Sequence, residues 1–162
     1  MIQRRALLAL LLAGTMAPAH AQSIDKVRVL KSERKLQLLS AFVVQKEFKA
    51  ALGGSPMGHK QREGDQKTPE GNYILDYKKS DSAFYKAIHI SYPNAEDIAR
   101  AKKHGVSPGG QIMIHGQKNG LGWLSGVSQG FDWTDGCVAL SNADMEEVWR
   151  LVNAGTQIEL RP

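Results

Sequence analysis

The sequence predicts one mainly β domain with two helices and two long glycine-rich loops. Its 162 residues, 42% hydrophobic and 23% charged, can bury one core but are too few for two ordinary domains. Alternating apolar and polar residues, as at Val27–Lys31, are typical of half-buried strands. Many of the sixteen glycines lie in residues 53–71 and 116–136, which indicates irregular loops with a function. This composition excludes an intrinsically disordered chain.

The individual elements follow from apolar spacing and from turn and cap signals. Strands are predicted at residues 27–31, 35–41, 42–48, 72–76, 87–92, 111–115 and 156–160. A helix is predicted over residues 93–104, with Pro93 at its start and Gly105 ending it. A second helix is predicted from Ser141, whose hydroxyl can cap it, through Val152.

The first twenty-one residues have the layout of a secretory signal peptide. Arg4 and Arg5 precede an apolar run, Ala6–Ala13, and the small-residue cleavage pattern Ala19–Ala21. A buried N-terminal helix is the less favoured interpretation, because a charged head, a short apolar run and a cleavage pattern occur together. The paired arginines leave both the general and the twin-arginine export routes open.

We therefore expect a signal peptide over residues 1–21 and a mature domain over residues 22–162 in the periplasm or cell envelope. Loss of the leader lowers the formal charge from +5 to +3. That surplus is too small to indicate nucleic-acid binding, although it suits a protein that works near an anionic polymer. No run of about 20 apolar residues follows the leader, so no membrane span is expected.

Cys137 is the only cysteine of the chain, and His115 ends an apolar strand before it. A lone cysteine cannot form an intrachain disulfide. Thiols attack as thiolates, and a nearby imidazole can take the proton and then stabilise the sulfur anion. Gly136 leaves space beside the sulfur, and the amides there could bind an oxyanion. A small buried cysteine and a satisfied strand-end histidine remain the alternative at this point.

The segment His115-Gly116, followed after a glycine-rich loop by Thr134–Cys137, resembles the active-site signature of the L,D-transpeptidase catalytic domain (YkuD-type) family. The earlier segment Gly64–Tyr73 resembles the Thr-Pro-x-Gly segment of that family, and the similarity extends over about residues 27–160. The resemblance implies a YkuD-like β-sandwich and a cysteine acyl transferase that joins donor and acceptor stem peptides of peptidoglycan. With water as acceptor, the same site would be an L,D-carboxypeptidase or amidase. A non-catalytic wall-binding module is the alternative outside enzymes.

The resemblance also implies roles for individual residues, and it implies no metal and no cofactor. Cys137 would be the nucleophile, His115 the base and later the acid, and Thr134 would orient His115. The oxyanion would bind the backbone amides of Asp135, Gly136 and Cys137. Substrate contacts would come from Gly116, Thr68, Pro69 and Gly71. A metal set built from His59, His89, His104 and His115 is not expected, because the spacing matches no ligand pattern.

Two positions depart from the common family pattern. Asp135 stands where many members have histidine, and Ala139 stands where many have arginine. A carboxylate beside the thiol is expected to raise the thiol pKa, and loss of the arginine removes a carboxylate contact. Both changes leave the balance between transfer and hydrolysis open. Lys60, Arg62 and Lys67 are expected to be solvated charge, although they could contact stem carboxylates. The aromatic residues Trp123, Phe131 and Trp133 are expected to pack the second loop onto the sheet, and the alternative is that they wall the cleft.

Overall fold

Residues 23–162 are described by the computed structural model, so the predicted signal peptide lies outside the described residues. The strands are β1 Lys26–Leu30, β2 Lys35–Ser40, β3 Val43–Lys49, β4 Gly71–Lys79, β5 Ala87–Ile90, β6 Met113–His115, β7 Val138–Ala139 and β8 Thr156–Arg161. The helices are α1 Ala95–Lys103, α2 Ser125–Ser128 and α3 Asn142–Leu151, with a short 3-10 turn at Gly122–Leu124.

The eight strands form one mixed sheet in the order β3-β2-β1-β8-β4-β5-β6-β7. The pairs β1–β8 and β6–β7 are parallel, and the other neighbours are antiparallel. The sheet curls until its two edges meet, because Ala51, just after β3, exchanges backbone hydrogen bonds of 2.9 and 2.8 Å with Ala139 of β7. The mainly β prediction is confirmed, and one curled sheet encloses the core.

The core is apolar and is covered by α3. Strand residues such as Leu36, Leu75 and Ile114 are fully buried against Met145 and Val148 of this helix. These buried positions alternate along β1, β2 and β8, as the period of two predicts. The packing fixes β6 and β7, which carry the candidate site, at one end of the sheet.

The helices begin where side chains cap them. Ser141 accepts the Asp144 N–H at 3.1 Å, so α3 begins as predicted. The first helix begins at Ala95, two residues later than predicted, because the Asn94 side chain accepts backbone N–H groups of the first turn. The short helix α2 was not predicted, since its four residues, SGVS, are too few to show a helical period.

Several strand boundaries differ from the prediction, among them the end of β5 at Ile90 instead of residue 92, and two of the differences have a clear local reason. β4 continues to Lys79 through Tyr77-Lys78-Lys79, which has no buried apolar residue to mark a strand. β6 begins at Met113 because Gln111 has a φ of +56°, outside the range of strand backbone. Within residues 23–162, no helix has the length and apolar character that crossing a membrane requires.

Candidate active site

The two residues predicted to carry chemistry lie in one cavity. Cys137 and His115 both line a cavity of about 220 Å³ at the β6–β7 end of the sheet. In the parallel register of β6 and β7, His115 is opposite Ala139. Cys137, two residues before Ala139, accepts the Met113 N–H on its Sγ at 3.4 Å. Because residues two apart on a strand share a face, this register directs the thiol and the imidazole to the same side of the sheet.

The imidazole of His115 is buried, and one backbone contact sets its tautomer. Nδ1 lies 2.6 Å from the Gly116 carbonyl oxygen, which can only accept a hydrogen bond. Nδ1 therefore carries the hydrogen, and Nε2 keeps the lone pair of a base. Burial lowers the pKa of His115, and the bond to Gly116 opposes this only in part. The resting imidazole is neutral at neutral pH.

Gly116 contacts His115 through its carbonyl oxygen, and the substrate contact predicted for it stays a prediction. It is buried, and a Cβ on it would lie 2.7 Å from Asn142 Oδ1 and 2.9 Å from the Tyr85 carbonyl oxygen. Its N–H donates to that same Tyr85 oxygen at 2.8 Å. The backbone of Gly116 is thereby fixed, and its carbonyl becomes a rigid acceptor for His115 Nδ1.

The thiol of Cys137 is partly exposed and rests in its protonated form. Sγ donates to the Gln111 carbonyl oxygen at 3.7 Å and accepts from Met113 N–H. Burial raises the pKa of Cys137, and the hydrogen bond from the Met113 N–H opposes this in part. The Asp135 carboxylate has a smaller raising effect, and Lys60 has the smallest effect, which lowers the pKa. The predicted effect of Asp135 on the thiol has the expected direction. A reaction of this sulfur as a thiolate would therefore require removal of its proton.

Thr134 organises the turn that carries the cysteine. Its hydroxyl donates to the Cys137 carbonyl oxygen at 2.8 Å and accepts the Gly136 N–H at 3.1 Å. The prediction that Thr134 orients His115 is wrong about the contact, because the described acceptor for His115 Nδ1 is Gly116. Thr134 closes the turn from residue 134 to residue 137 instead.

The same turn limits which amides can bind an oxyanion. The Gly136 N–H donates to the Thr134 hydroxyl, so this amide is not free to bind an oxyanion, which differs from the prediction. Within the described part of the chain, the amides of Asp135 and Cys137 have no hydrogen-bond acceptor. Gly136 has a φ of +124°, and a Cβ there would lie 2.6 Å from the Lys67 carbonyl oxygen. Only glycine fits this backbone.

The first glycine-rich loop, residues 53–71, packs against the turn formed by residues 134–137. Thr68 is fully buried, and its hydroxyl accepts the N–H of Gly53, which pairs with Thr134. Pro69 is also buried, and Gly71 starts β4. The substrate contacts predicted for Thr68, Pro69 and Gly71 are not supported by these positions, because none of them lines the Cys137 cavity.

The interior of this loop holds an ion pair that the sequence did not indicate. Lys60 and Asp65 are joined at 2.8 Å, with side chains only 3% and 9% exposed, so Lys60 is not the solvated charge expected. Burial opposes ionisation of Asp65, but Lys60 and three backbone N–H groups outweigh it and lower the pKa of Asp65 to about 2. Lys60 is also the cation that slightly lowers the pKa of Cys137.

Aromatic rings form one wall of the cavity. The Phe84 ring lies 4.4 Å from the His115 ring, and the Trp133 ring lies 5.9 Å from it. Sequence reasoning missed Phe84, which follows a polar stretch with no strand or helix signal. Trp133 lines the cleft, which was the less favoured of its two predicted roles, whereas Trp123 and Phe131 are 78% and 57% exposed and do not line the cavity.

The histidines considered as metal ligands lie in separate contacts. His59 pairs with Asp97 at 2.9 Å, and His89 pairs with Asp76 at 2.7 Å. Over residues 23–162, no group of three His, Cys, Asp or Glu side chains is arranged to hold a metal ion.

The Cys137 thiol and the His115 imidazole therefore share one cavity on a single curled β-sheet. The family model of YkuD, the L,D-transpeptidase catalytic domain, matches residues 25–160. The chain belongs to this family.

Individual relatives agree with the family assignment. The chain is 37% identical over 112 residues to YafK of Escherichia coli (strain K12), named "Putative L,D-transpeptidase", covering 65% of this chain and 44% of YafK. It is similar to the helical cell shape determining protein Pgp2 from Campylobacter jejuni, with 27% identity, a TM-score of 0.65, and coverage of 87% and 48%. An L,D-transpeptidase from Xylanimonas cellulosilytica shares the fold at 17% identity and TM-score 0.56, covering 87% and 62%. The chain therefore spans less than half of YafK and of Pgp2.

Proposed function

We propose that this protein is an exported cysteine acyl transferase that acts on peptidoglycan stem peptides through a thioester on Cys137. The observation that carries the proposal is the hydrogen bond from His115 Nδ1 to Gly116, in the cavity that also contains the Cys137 thiol. It leaves Nε2 as the base. Membership of the L,D-transpeptidase family supports the substrate class, and the leader predicted over residues 1–21 supports export to the periplasm or cell envelope.

The first half-reaction forms the thioester. As Cys137 Sγ attacks the carbonyl carbon of the third stem residue, its proton moves to Nε2 of His115 and a C–S bond forms. The oxyanion is stabilised by the free amides of Asp135 and Cys137. The tetrahedral intermediate then expels the amine of the terminal D-alanine, which takes the proton from the imidazolium as the C–N bond breaks.

The second half-reaction transfers the acyl group to an amine. The side-chain amine of a neighbouring stem, or an amine of a protein to be attached, attacks the thioester carbon and gives its proton to His115 Nε2. The C–S bond then breaks, and the sulfur leaves and recovers a proton from the imidazolium. The product has a new amide bond, and the thiol is regenerated, so no cofactor is consumed.

Analysis of products from purified muropeptides tests this proposal. The protein is incubated with tetrapeptide-bearing muropeptides, and the products are separated and identified by mass. We expect cross-linked dimers and free D-alanine from the wild type and neither from Cys137→Ala. If free tripeptides form without dimers, the protein is a hydrolase and not an acyl transferase. A folded wild-type protein that leaves the muropeptides unchanged would contradict both activities and favour a wall-binding module.

A further inference from the structure

The segment between β4 and β5 pairs with the backbone that follows His115. The Tyr85 N–H donates to the Gln117 carbonyl oxygen at 2.8 Å. The Tyr85 carbonyl oxygen accepts the Gly116 N–H, also at 2.8 Å. These bonds extend the pairing of β5 with β6 past the ends of both strands, so the segment has a fixed place beside the candidate base.

One residue of this segment has a strained backbone. Ala87 is opposite His115 in the antiparallel register, and Phe84 forms a bridge with Lys118 in the same register. Because side chains alternate along a strand, residue 84 of a regular strand would lie on the face opposite to residue 87 and His115. Lys86 instead has a φ of +45°, in the left-handed region that non-glycine residues rarely adopt, and the Phe84 ring lies 4.4 Å from the His115 ring. Strain of this kind collects at functional sites.

Phe84 and Trp133 enclose the imidazole. The Phe84 ring is tilted by 42° to the His115 ring, and the Trp133 ring meets it edge-on at 5.9 Å and 68°. His115 is only 3% exposed. Burial is the larger of the two causes that act on its pKa and lowers it, while the bond to Gly116 acts in the other direction. The two rings supply the apolar part of this burial.

Charges on the neighbouring elements do not explain the environment of the imidazole. The elements packed around it carry these titratable side chains: Cys137, Asp135, Tyr85, Lys86 and Lys118. Cys137 and Asp135 line the same cavity, whereas Tyr85 and Lys86 both bind a carboxylate of α3 outside it. The two causes that shift the pKa of His115 are burial and a backbone hydrogen bond, and neither is a charged side chain.

We propose that Phe84 is a positioning residue that acts through His115: its ring keeps the imidazole in one orientation and excludes water from it, and the left-handed backbone at Lys86 brings the ring there. This role rests on the proposed function, in which His115 is the base. It adds a residue outside the motif that contains His115 and Cys137. The base then stays neutral, and able to accept a proton, in mildly acidic surroundings, because burial disfavours the charged imidazolium.

The test follows the protonation of His115 and the acylation of Cys137 in parallel. Imidazole signals are titrated by proton NMR, with His115→Gln assigning the signal of residue 115, and acylation by a carbapenem is followed by intact mass from pH 5 to 8. In Phe84→Ala the imidazole should titrate at higher pH than in the wild type, near the ordinary midpoint of about 6.5. Its acylation rate should fall about 10-fold between pH 7.5 and 5.5, because about a tenth of an imidazole is neutral one pH unit below its midpoint. The wild type should lose clearly less over this range.

Two substitutions of Lys86 separate the backbone from the side chain. Both Lys86→Gly and Lys86→Val remove the ammonium that pairs with Glu146, but only glycine adopts the left-handed backbone freely. Lys86→Gly should keep the wild-type pH profile, and Lys86→Val should reproduce the profile of Phe84→Ala. Phe131→Ala removes the same ring from an exposed position outside the cavity and should also keep the wild-type profile.

The outcomes distinguish positioning from packing. If Phe84→Ala leaves the titration of His115 unchanged, or lowers acylation equally at every pH, the inference is overturned, because the ring then contributes only to packing. Phe84→Leu keeps an apolar side chain and should lie between the wild type and Phe84→Ala, and with Lys86→Val it decides the question if Phe84→Ala does not fold. If the wild type is not acylated but its His115 titration still depends on Phe84, the proposed function alone is contradicted.

Discussion

Replacing His115 with glutamine should slow acylation of Cys137 by about 10²- to 10⁴-fold, the usual contribution of a positioned general base. Glutamine can still donate to the Gly116 carbonyl oxygen that binds His115 Nδ1, but its other terminal atom is an amide oxygen and not a base. The thiol is protonated at neutral pH, because burial raises its pKa, so the reaction depends on a group that removes this proton.

The pH dependence of acylation should identify the same group. Burial lowers the pKa of His115, so the wild-type rate should persist below about pH 6.5, the ordinary midpoint of an imidazole, and fall only as Nε2 is protonated. In His115→Gln the remaining rate should rise steadily above neutral pH, because thiolate then forms without a base. Time courses of covalent modification by a carbapenem, followed by intact mass from pH 5 to 10, provide the measurement.

His104→Gln is the matched control, since His104 is exposed at the end of α1 and does not line the cavity. It should acylate at the wild-type rate. If His115→Gln and His104→Gln are acylated at equal rates at neutral pH, His115 is not the base in this reaction.

Replacing Asp65 with asparagine should lower the free energy of unfolding by about 3–5 kcal/mol, as expected when one partner of a buried ion pair is removed. The ammonium of Lys60 would remain buried without a counter-charge, and its acceptors would be the neutral Arg62 carbonyl oxygen and the amide oxygen of the new asparagine. The neutral amide has one acceptor oxygen, where the carboxylate accepts from Lys60 and from three backbone N–H groups. Urea unfolding at pH 7 measures the change.

The wild type should also lose stability in acid through this residue. The pKa of Asp65 is about 2 in the folded protein and about 3.9 in an unfolded chain, so its contribution is fully present above pH 4. It is lost as the pH falls from about 4 through about 2, and amounts to about 2.5 kcal/mol. Asp65→Asn should not show this part of the acid dependence.

Asp81→Asn is the control, because the Lys79–Asp81 pair is exposed and screened by solvent. It should unfold at the wild-type urea concentration. If Asp65→Asn and Asp81→Asn unfold at the same urea concentration, the Lys60–Asp65 pair does not stabilise the first loop. The loop also packs behind Gly136, where the Lys67 carbonyl oxygen leaves no space for a Cβ, so Asp65→Asn should disturb the cysteine turn as well.

Sequence reasoning predicted the parts of the fold that local signals encode. Alternating apolar residues predicted the strands that bury one face, and the Ser141 cap predicted α3. Elements with weak local signals were missed, such as the four-residue α2 and the polar end of β4. Their structure depends on neighbouring strands and loops rather than on their own residues.

The candidate site was predictable in its residues but not in its supporting contacts. Cys137 and His115 stand in a recognisable motif, and both line the cavity. The partner of His115 is a backbone carbonyl, which no side-chain pattern indicates, and Thr134 contacts the turn instead. The burial of Lys60 depends on how the first loop folds over Asp65, and a lysine in a polar loop is ordinarily exposed.

Covalent trapping at Cys137 tests most directly whether this thiol accepts an acyl group. The wild-type protein is incubated with a carbapenem, and the adduct is measured by intact mass and located by peptide mapping. We expect one adduct for each chain, on Cys137, and none on Cys137→Ala. A folded wild-type protein that forms no adduct, or forms it on another residue, would contradict a reactive, acyl-accepting thiol.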